Sequence, residues 1–153
     1  MITENYVSFE VAKLLKEKGF DERCRQYYYK DNLILSRSGI YNEELNNYKE
    51  VGEGWSAPTL QMVMNWLEEV HHILVVADYV YECTSTSWVY KIYRLGENGR
   101  PERCVVKGTS YDENNNPTEH ITGYRDYELS YKDYGSRREA EDEGIRYVLE
   151  KYV

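Results

Sequence analysis

The sequence has little cysteine, phenylalanine or proline and no long hydrophobic run. Among 153 residues there are three cysteines, two phenylalanines and three prolines. Its longest apolar stretch, residues 73–80, is interrupted by Asp78 and is far shorter than the roughly 20 residues that cross a bilayer. The opening residues, 1–5, lack the basic and apolar regions of a secretory signal. We therefore expect a soluble cytoplasmic protein without a membrane partner.

The cysteines are too widely spaced for a common metal or redox motif. No pair among Cys24, Cys83 and Cys104 forms a C-x-x-C unit, so neither a zinc knuckle nor a redox motif is present. We expect reduced thiols, as in a reducing compartment. A nucleophile pair of Cys24 or Cys104 with His120 would meet only in space, and the sequence does not single one out.

Established catalytic motifs are also missing. There is no H-E-x-x-H, Walker A, G-x-S-x-G or G-x-G-x-x-G segment. His71 and His72 are adjacent, and neighbouring side chains point in different directions. We expect these histidines to end a helix and to interact with its last carbonyl groups. The sequence therefore predicts no catalytic residue and no cofactor, and it favours a protein that is not an enzyme.

One loop resembles the start of a calcium site. Its pattern is Asp112-x-Asn114-x-Asn116. In a calcium-binding loop the sixth position is Gly and the twelfth is a bidentate Glu. Here Pro117 and Gly123 occupy those positions, so no metal site is predicted.

The net charge limits the classes of partner. It is −8, from 19 basic and 27 acidic residues, with a pI of about 5.0. Binding to nucleic acid depends on cations that neutralise phosphates, and docking on anionic membranes needs cations as well. The acidic balance is interpreted first as a charge that keeps the protein soluble. It could also serve a basic partner or mimic DNA, although the interspersed basic residues argue against mimicry.

Tyrosine is unusually frequent. There are 17 tyrosines against two phenylalanines and three tryptophans. Tyrosine combines apolar area with a polar tip, so it is common on half-buried sheet faces and at interfaces. The tyrosines either coat strands that have one wet face or form a binding surface. Stacking of nucleic-acid bases would need a basic surround, which is absent. The residues predicted for an interaction surface are Tyr27, Tyr28, Tyr29, Trp55, Tyr79, Tyr81, Tyr90 and Tyr93.

Two predicted helices have clear start signals. Ser8 is an N-cap residue and Gly19 is typical of a helix end, which predicts a helix over residues 8–18. Residues 136–139 read Ser-Arg-Arg-Glu, an S-x-x-E capping box that opens a C-terminal helix. Gly144 within this helix indicates a close approach to a sheet.

A third helix is predicted between these two. Ser56 is its expected N-cap, Pro58 falls in its first turn, and the helix ends near His71 or His72. Its apolar residues recur at helical spacing. They are Leu60, Val63, Met64, Leu67 and Val70.

The remaining apolar segments predict strands joined by short turns. Strands over residues 27–29 and 33–35 form a hairpin around a turn at 30–32, and residues 36–55 form a loop with at most one irregular strand. A meander then follows, with strands over residues 73–82, 88–95, 103–107 and 124–131, the last an edge strand, and with turns or loops at 83–87, 96–99 and 112–118.

These elements predict an α+β fold in a single domain, residues 1–153. Short turns favour an antiparallel β-meander sheet, with two to three helices packed on one face. The predicted core consists of Leu15, Leu60, Val63, Met64, Leu67, Val75, Ile92, Ile145, Val148 and Leu149.

Two segments carry a resemblance. They are Ser56-Ala-Pro-Thr-Leu-Gln, continuing through Trp66-Leu67-Glu-Glu-Val-His71, and Val11-Ala-Lys-Leu-Leu-Lys-Glu-Lys-Gly-Phe20. Both are similar to small proteins of phages and prophages of gut anaerobes, which have no assigned activity. The resemblance implies a phage-type context in a bacterial host cytoplasm. Residues 96–134 lack a clear counterpart and form a possible insertion, as a hairpin or loop specific to this chain.

Two functional hypotheses follow. The first is a phage or prophage accessory protein that binds another protein through a tyrosine-rich surface. The alternative is a small enzyme, or a binding protein, for a small polar or nucleotide ligand. Such a site needs a deep pocket with converging ionisable groups. A homodimer is compatible with both.

Overall fold

The fold is described from a computed structural model that covers residues 4–30, 32–35, 54–82, 85–130 and 132–153. The helices in this part of the chain are α1 (Phe9–Glu17), α2 (Leu60–His71) and α3 (Arg137–Lys151). The strands are β1 (Gln26–Tyr29), β2 (Asn32–Leu35), β3 (Trp55–Ser56), β4 (Ile73–Glu82), β5 (Ser85–Arg94), β6 (Cys104–Tyr111), β7 (Pro117–Arg125) and β8 (Glu128–Leu129).

The α+β prediction is confirmed, and every strand pairing is antiparallel. The strands form three small sheets, in the orders β2-β1-β3, β4-β5-β8 and β6-β7. The meander therefore divides after β5, because β5 takes β8 as its second neighbour while β6 pairs with β7. Helix α3 packs on β4 and β5, with α1 and α2 beside it. No helix in the described ranges is long and apolar enough to cross a membrane.

Helix α1 begins and ends as predicted. The Ser8 side chain accepts a hydrogen bond from the Val11 N–H. Gly19 has φ of 86°, a left-handed conformation that glycine adopts without strain. The next N–H, of Phe20, donates to the Leu15 carbonyl at 2.9 Å, and the Phe20 side chain is fully buried. The capped end thus turns an aromatic ring into the core.

The predicted start of α2 was wrong by three residues. Thr59, and not Ser56, is the N-cap, and its hydroxyl accepts from the Met62 N–H at 3.2 Å. Ser56 instead pairs with β1 as part of β3. Pro58 precedes the helix, and its carbonyl accepts the Val7 N–H at 3.1 Å. Serine and threonine are both common N-cap residues. Because Ser56 is paired with β1, the helix begins after Thr59.

The predicted end of α2 is confirmed. His72 is the C-cap in the left-handed conformation, with φ of 56°. The prediction that Val70 belongs to the apolar face was wrong, since its side chain is 56% exposed. Met64 is half-buried and packs against the core from outside. The rest of the predicted core is buried.

Helix α3 begins at the predicted Ser136 cap, but Glu139 bonds to the residue before the cap and not to the cap N–H that a capping box requires. The Ser136 side chain accepts from the Glu139 N–H at 3.2 Å, and the Glu139 carboxylate accepts from the Gly135 N–H at 3.1 Å. Gly144 lies against β4 and β5, as the sequence indicated. A Cβ at Gly144 would come within 2.9 Å of Val75 and 3.1 Å of Tyr90.

The strand boundaries differ from prediction mainly in the last third of the chain. The β1–β2 hairpin is confirmed, and residues 36–53 lie outside the described residues. Of the predicted turn at 83–87, residues 85–87 already belong to β5, and 83–84 lie outside the described residues. The predicted strand over 124–131 was wrong, because β7 ends at Arg125 and the two-residue β8 follows.

The loop before β7 is tighter than predicted. The Asp112 carboxylate accepts hydrogen bonds from the backbone N–H groups of Asn114 and Asn116, at 2.8 and 2.9 Å. Asn115 supplies the left-handed position, with φ of 62°. An Asp side chain that bonds to the following backbone is a common way to close a turn. The strand can therefore restart at Pro117.

Candidate functional site

Two of the tyrosines predicted for an interaction surface are buried. Tyr28 belongs to the core, and its hydroxyl donates to the Val7 carbonyl at 2.8 Å. Tyr90 lies under α3, and its ring packs against Tyr134 and Tyr147 at centroid distances of 5.9 and 5.8 Å. Both rings stabilise the interior, so neither is available to a partner.

The other predicted residues are spread over two sheets. Tyr27 and Trp55 are half-buried in the β2-β1-β3 sheet, and Tyr29 beside them is exposed. Tyr79 and Tyr81 are exposed near the end of β4. Tyr93 pairs with Leu74 at the other end of the same ladder and is half-buried.

The β4 ladder also separates these tyrosines by face. Side chains alternate between the two faces of a strand, so Tyr79 and Tyr81 lie on the same face of β4 as Val75. Tyr93 is paired with Leu74, which lies on the opposite face. The predicted set therefore does not form one continuous surface.

A different surface stands out on the β6–β7 hairpin. Its strands contact each other far more than they contact any other described element, so the hairpin projects from the rest of the fold. Val105 pairs with Tyr124, and two positions along β6 the residue Lys107 pairs with Ile121. Paired residues on neighbouring strands, and alternate residues along one strand, lie on the same face. This face of the hairpin also includes Tyr111.

This face carries large apolar side chains in contact with solvent. We call Val105, Tyr111, Ile121 and Tyr124 the hairpin face. Their side chains are 50%, 65%, 59% and 63% exposed. Sequence reasoning missed all four, although the alternation of Val105, Lys107, Thr109 and Tyr111 was a visible strand signal. Alternation of residue types predicts a strand, but it does not show whether another element packs on the hairpin.

A cleft of about 500 Å³ adjoins the hairpin face. Val105, Lys107 and Arg125 line it on the hairpin side, and residues 127–130 line it on the β8 side. Lys107 forms an exposed ion pair with Glu119 at 3.0 Å. The cleft thus combines apolar and charged groups next to an exposed apolar face.

Glu128, at the β8 wall of this cleft, is the centre of a hydrogen-bonded cluster. Its carboxylate accepts from the Tyr147 hydroxyl at 2.8 Å, from Lys151 Nζ at 3.0 Å and from the Tyr152 hydroxyl. Arg94 Nε lies 4.0 Å from the same carboxylate. The cluster fixes the last turn of α3 to β8.

The electrostatics of this cluster are internally balanced. Burial opposes the charge of Glu128, but hydrogen bonds from Tyr152, Tyr147 and Lys151 hold the pKa of its carboxyl below the usual value. Burial also opposes the charge of Lys151, yet its hydrogen bonds to Tyr147, Tyr152 and Glu128 raise its pKa. A carboxylate held ionised beside a lysine held protonated makes a poor acid–base pair at neutral pH. The geometry therefore indicates a structural role.

Cys104 does not form the nucleophile pair with His120 that the sequence left open. Cys24 is buried and Cys104 is half-buried. Cys104 pairs with Arg125, whereas His120 pairs with Gly108 four positions along β6, about 13 Å further along the strand. Among the described residues, no group of His, Cys, Asp and Glu side chains is arranged to hold a metal ion.

Comparison with protein-family models, with curated proteins and with solved structures gives no match for this chain.

Proposed function

We propose that this chain is a protein-interaction module that binds its partner on the hairpin face. The observation that carries the proposal is the projecting hairpin, with four large apolar side chains on one side and no element packed over them among the described residues. Exposed apolar side chains gathered on one surface are typical of interaction sites, and tyrosine is enriched where partners bind.

The chemistry of the hairpin face suits a protein partner. Tyr111 and Tyr124 offer rings for burial and hydroxyl groups that can remain hydrated at the rim of an interface. The ion pair of Lys107 and Glu119 lies on the same side and can orient a partner without adding much affinity. The adjoining cleft gives room for a side chain of the partner.

In keeping with the resemblance of its first and second helices, we place this module among phage or prophage accessory proteins that act in the cytoplasm of a bacterial host. Its partner is then a protein of the host or of the phage. This context sets where the partner is sought.

The test compares two pairs of exposed tyrosines. Immobilised protein is incubated with lysate of a gut anaerobe, and bound proteins are identified by mass spectrometry. We expect the double variant Tyr111→Ser, Tyr124→Ser to lose a partner that the unmodified chain retains. The matched control, Tyr79→Ser with Tyr81→Ser, removes two exposed tyrosines from β4 and should retain it.

Direct binding then measures the effect. With the purified partner, the hairpin double variant should bind at least about tenfold more weakly, since loss of an interface aromatic commonly costs about 1–2 kcal/mol or more. Equal loss in both double variants, or a partner bound equally well by all three proteins, would contradict a site on the hairpin face.

The cleft supports a second candidate, a site for a small polar or nucleotide ligand. Its volume of about 500 Å³ is typical of small-molecule sites. Lys107 and Arg125 in its wall could bind a phosphate or carboxylate group. A nucleotide that raises the melting temperature of the protein, but not that of Arg125→Gln, would support this candidate, with Arg103→Gln, an exposed residue before β6, as control.

A further inference from the structure

A second candidate surface is the edge of β4, which no described strand covers. In the sheet order β4-β5-β8, strand β4 is terminal. In an antiparallel pair, opposed residues alternately direct their backbone groups toward each other and away. The pair formed by His72 and Leu95 points inward, because the Leu95 N–H donates to the His72 carbonyl at 2.8 Å.

The same alternation assigns the outward positions. On β5, Tyr90 and Trp88 bond away from β4: the Tyr90 carbonyl accepts from the Ser130 N–H, and Trp88 exchanges two hydrogen bonds with Tyr134. Their partners on β4, Ala77 and Tyr79, therefore direct their own backbone groups to the open edge.

Val75, opposite Ile92, follows the same rule. The Tyr79 N–H is already bonded to the Asp78 side chain at 2.9 Å. For Val75 and Ala77, no backbone partner exists on this edge among the residues that the structure describes. Another strand would meet these two N–H and two C=O groups at this edge.

A groove runs beside this edge. One cavity of about 190 Å³ is lined by residues 74–77 of β4 and by one side of α2. A neighbouring cavity of about 330 Å³ extends toward the start of α2. Both cavities share Gln61, Met64, Arg137 and Glu141 as lining residues, so they are adjoining parts of one groove.

The charged groups of the groove are predominantly acidic. Glu68 and Glu4 line its two ends. Arg137 is already paired with Glu141 at 2.7 Å, and the Glu141 side chain is only 8% exposed. Met64 supplies an apolar floor. A strand placed here would meet backbone donors and acceptors on one side and carboxylates with a methionine on the other.

We propose that this groove binds an extended basic peptide segment of a partner protein, which adds to the edge of β4 as an antiparallel or parallel strand. Strand addition of this kind takes its affinity from main-chain hydrogen bonds and its specificity from alternate side chains. A lysine or arginine of the segment would face Glu68, since Glu141 is already paired with Arg137. The chain's net charge of −8 favours a basic partner over a second copy of itself. The site is separate from the hairpin face.

The test uses a capped peptide, Thr-Lys-Val-Lys-Thr, with Thr-Glu-Val-Glu-Thr as its charge-reversed counterpart. Binding is followed by amide NMR shifts and hydrogen exchange of the ¹⁵N-labelled full chain. We expect the basic peptide to slow exchange of the Val75 and Ala77 amides by about tenfold at saturation, while the acidic peptide leaves them unchanged.

Two comparisons separate strand addition from unspecific attraction. Glu68→Gln should weaken the basic peptide by about two- to fivefold, and Glu69→Gln, on the neighbouring exposed position of α2 outside the groove, should not. In a second comparison, the backbone nitrogens of the peptide are methylated at either the odd or the even positions. Only one of these two sets faces β4, so methylation of that set should abolish binding and methylation of the other should not.

Three outcomes would overturn the proposal. They are equal binding of the basic and acidic peptides, equal affinity of all N-methylated peptides, and protection of Val75 and Ala77 that depends on protein concentration without any peptide. The last would show that a second copy of the chain occupies the edge.

Discussion

Gly144 of α3 lies directly against Tyr90 of β5. A Cβ at Gly144 would come 3.1 Å from the Tyr90 Cβ and 2.9 Å from a methyl group of Val75. These contacts are closer than packed carbon atoms tolerate, so the glycine allows the helix backbone to rest on the sheet. The approach positions α3 over β4 and β5 and buries the Tyr90 ring.

Replacing this glycine should therefore destabilise the fold. Gly144→Ala gains about 1 kcal/mol in helix propensity but forces an overpacked contact that costs about 1–3 kcal/mol. Because the Tyr90 Cβ is fixed by its strand, we expect a cost in the upper part of this range, about 2–3 kcal/mol. The net loss in the free energy of unfolding, measured with urea, should then be about 1–2 kcal/mol. Gly123→Ala is the control, since a Cβ there meets nothing within 4 Å. A variant Gly144→Ala as stable as the parent would contradict the close approach.

The Glu128 cluster predicts a pH dependence of stability. The pKa of Glu128 is lowered in the fold from its ordinary value of 4.5, so its contribution is present above about pH 4.5 and is lost as the pH falls through the lower, folded pKa. Glu128→Gln should reduce the free energy of unfolding by about 1–2 kcal/mol at pH 7. The difference from the parent should shrink below pH 4.

Urea unfolding between pH 3 and pH 8 measures this difference. Glu150→Gln is a matched control on α3, because Glu150 belongs to an exposed ion pair with Arg146, which contributes about 0.5 kcal/mol or less. If the Glu128→Gln deficit were equal at all pH values, the carboxylate charge would not be the source of the stabilisation.

The N-cap of α2 can be tested at Thr59, the residue that the sequence analysis did not predict as the cap. Thr59→Ala removes the hydroxyl that accepts the Met62 N–H and should cost about 0.5–2 kcal/mol. Thr59→Ser keeps this oxygen and should stay close to the parent. Chemical denaturation of both variants decides the point, and equal stability of Thr59→Ala and the parent would show that another group satisfies this N–H.

The hairpin face should be dispensable for stability. Because Ile121 and Tyr124 are exposed, replacing both by serine should change the free energy of unfolding by less than about 0.5 kcal/mol. Leu149→Ala, in the fully buried part of α3, should cost about 2–5 kcal/mol. Thermal and urea unfolding of the two variants measure both changes. A large loss of stability in the double serine variant would show that the hairpin face is packed against the fold.

Local signals in the sequence were sufficient for the helices. Ser8 and Ser136 are the caps of α1 and α3, as the sequence predicted, and each lies directly before the first helical residue. At α2 the sequence offers both Ser56 and Thr59, and the choice depends on pairing of residues 55–56 with β1. That contact joins distant parts of the chain, which local propensity does not include.

The candidate surfaces were harder to predict because exposure is a property of the assembled fold. Tyr28, Tyr90 and Tyr81 all lie in segments whose sequence predicts a strand. In the fold, Tyr28 and Tyr90 are buried and Tyr81 is exposed. The position of β4 at the end of its described sheet also depends on a remote event, the pairing of β8 and Tyr134 with the other side of β5. An alternating pattern indicates a strand but does not say which of its edges is filled.

The link between Ser8 and Asp142 has a consequence for biosynthesis. The Ser8 N–H donates to the Asp142 carboxylate at 2.8 Å, across 134 positions of the chain, and the same helix covers β4 and β5. Short-range hairpins can form while translation proceeds, but α3 is synthesised after β4 and β5. Until then, the apolar side of β4 and β5 lacks its cover, so nascent chains halted before α3 would depend on chaperones to avoid aggregation.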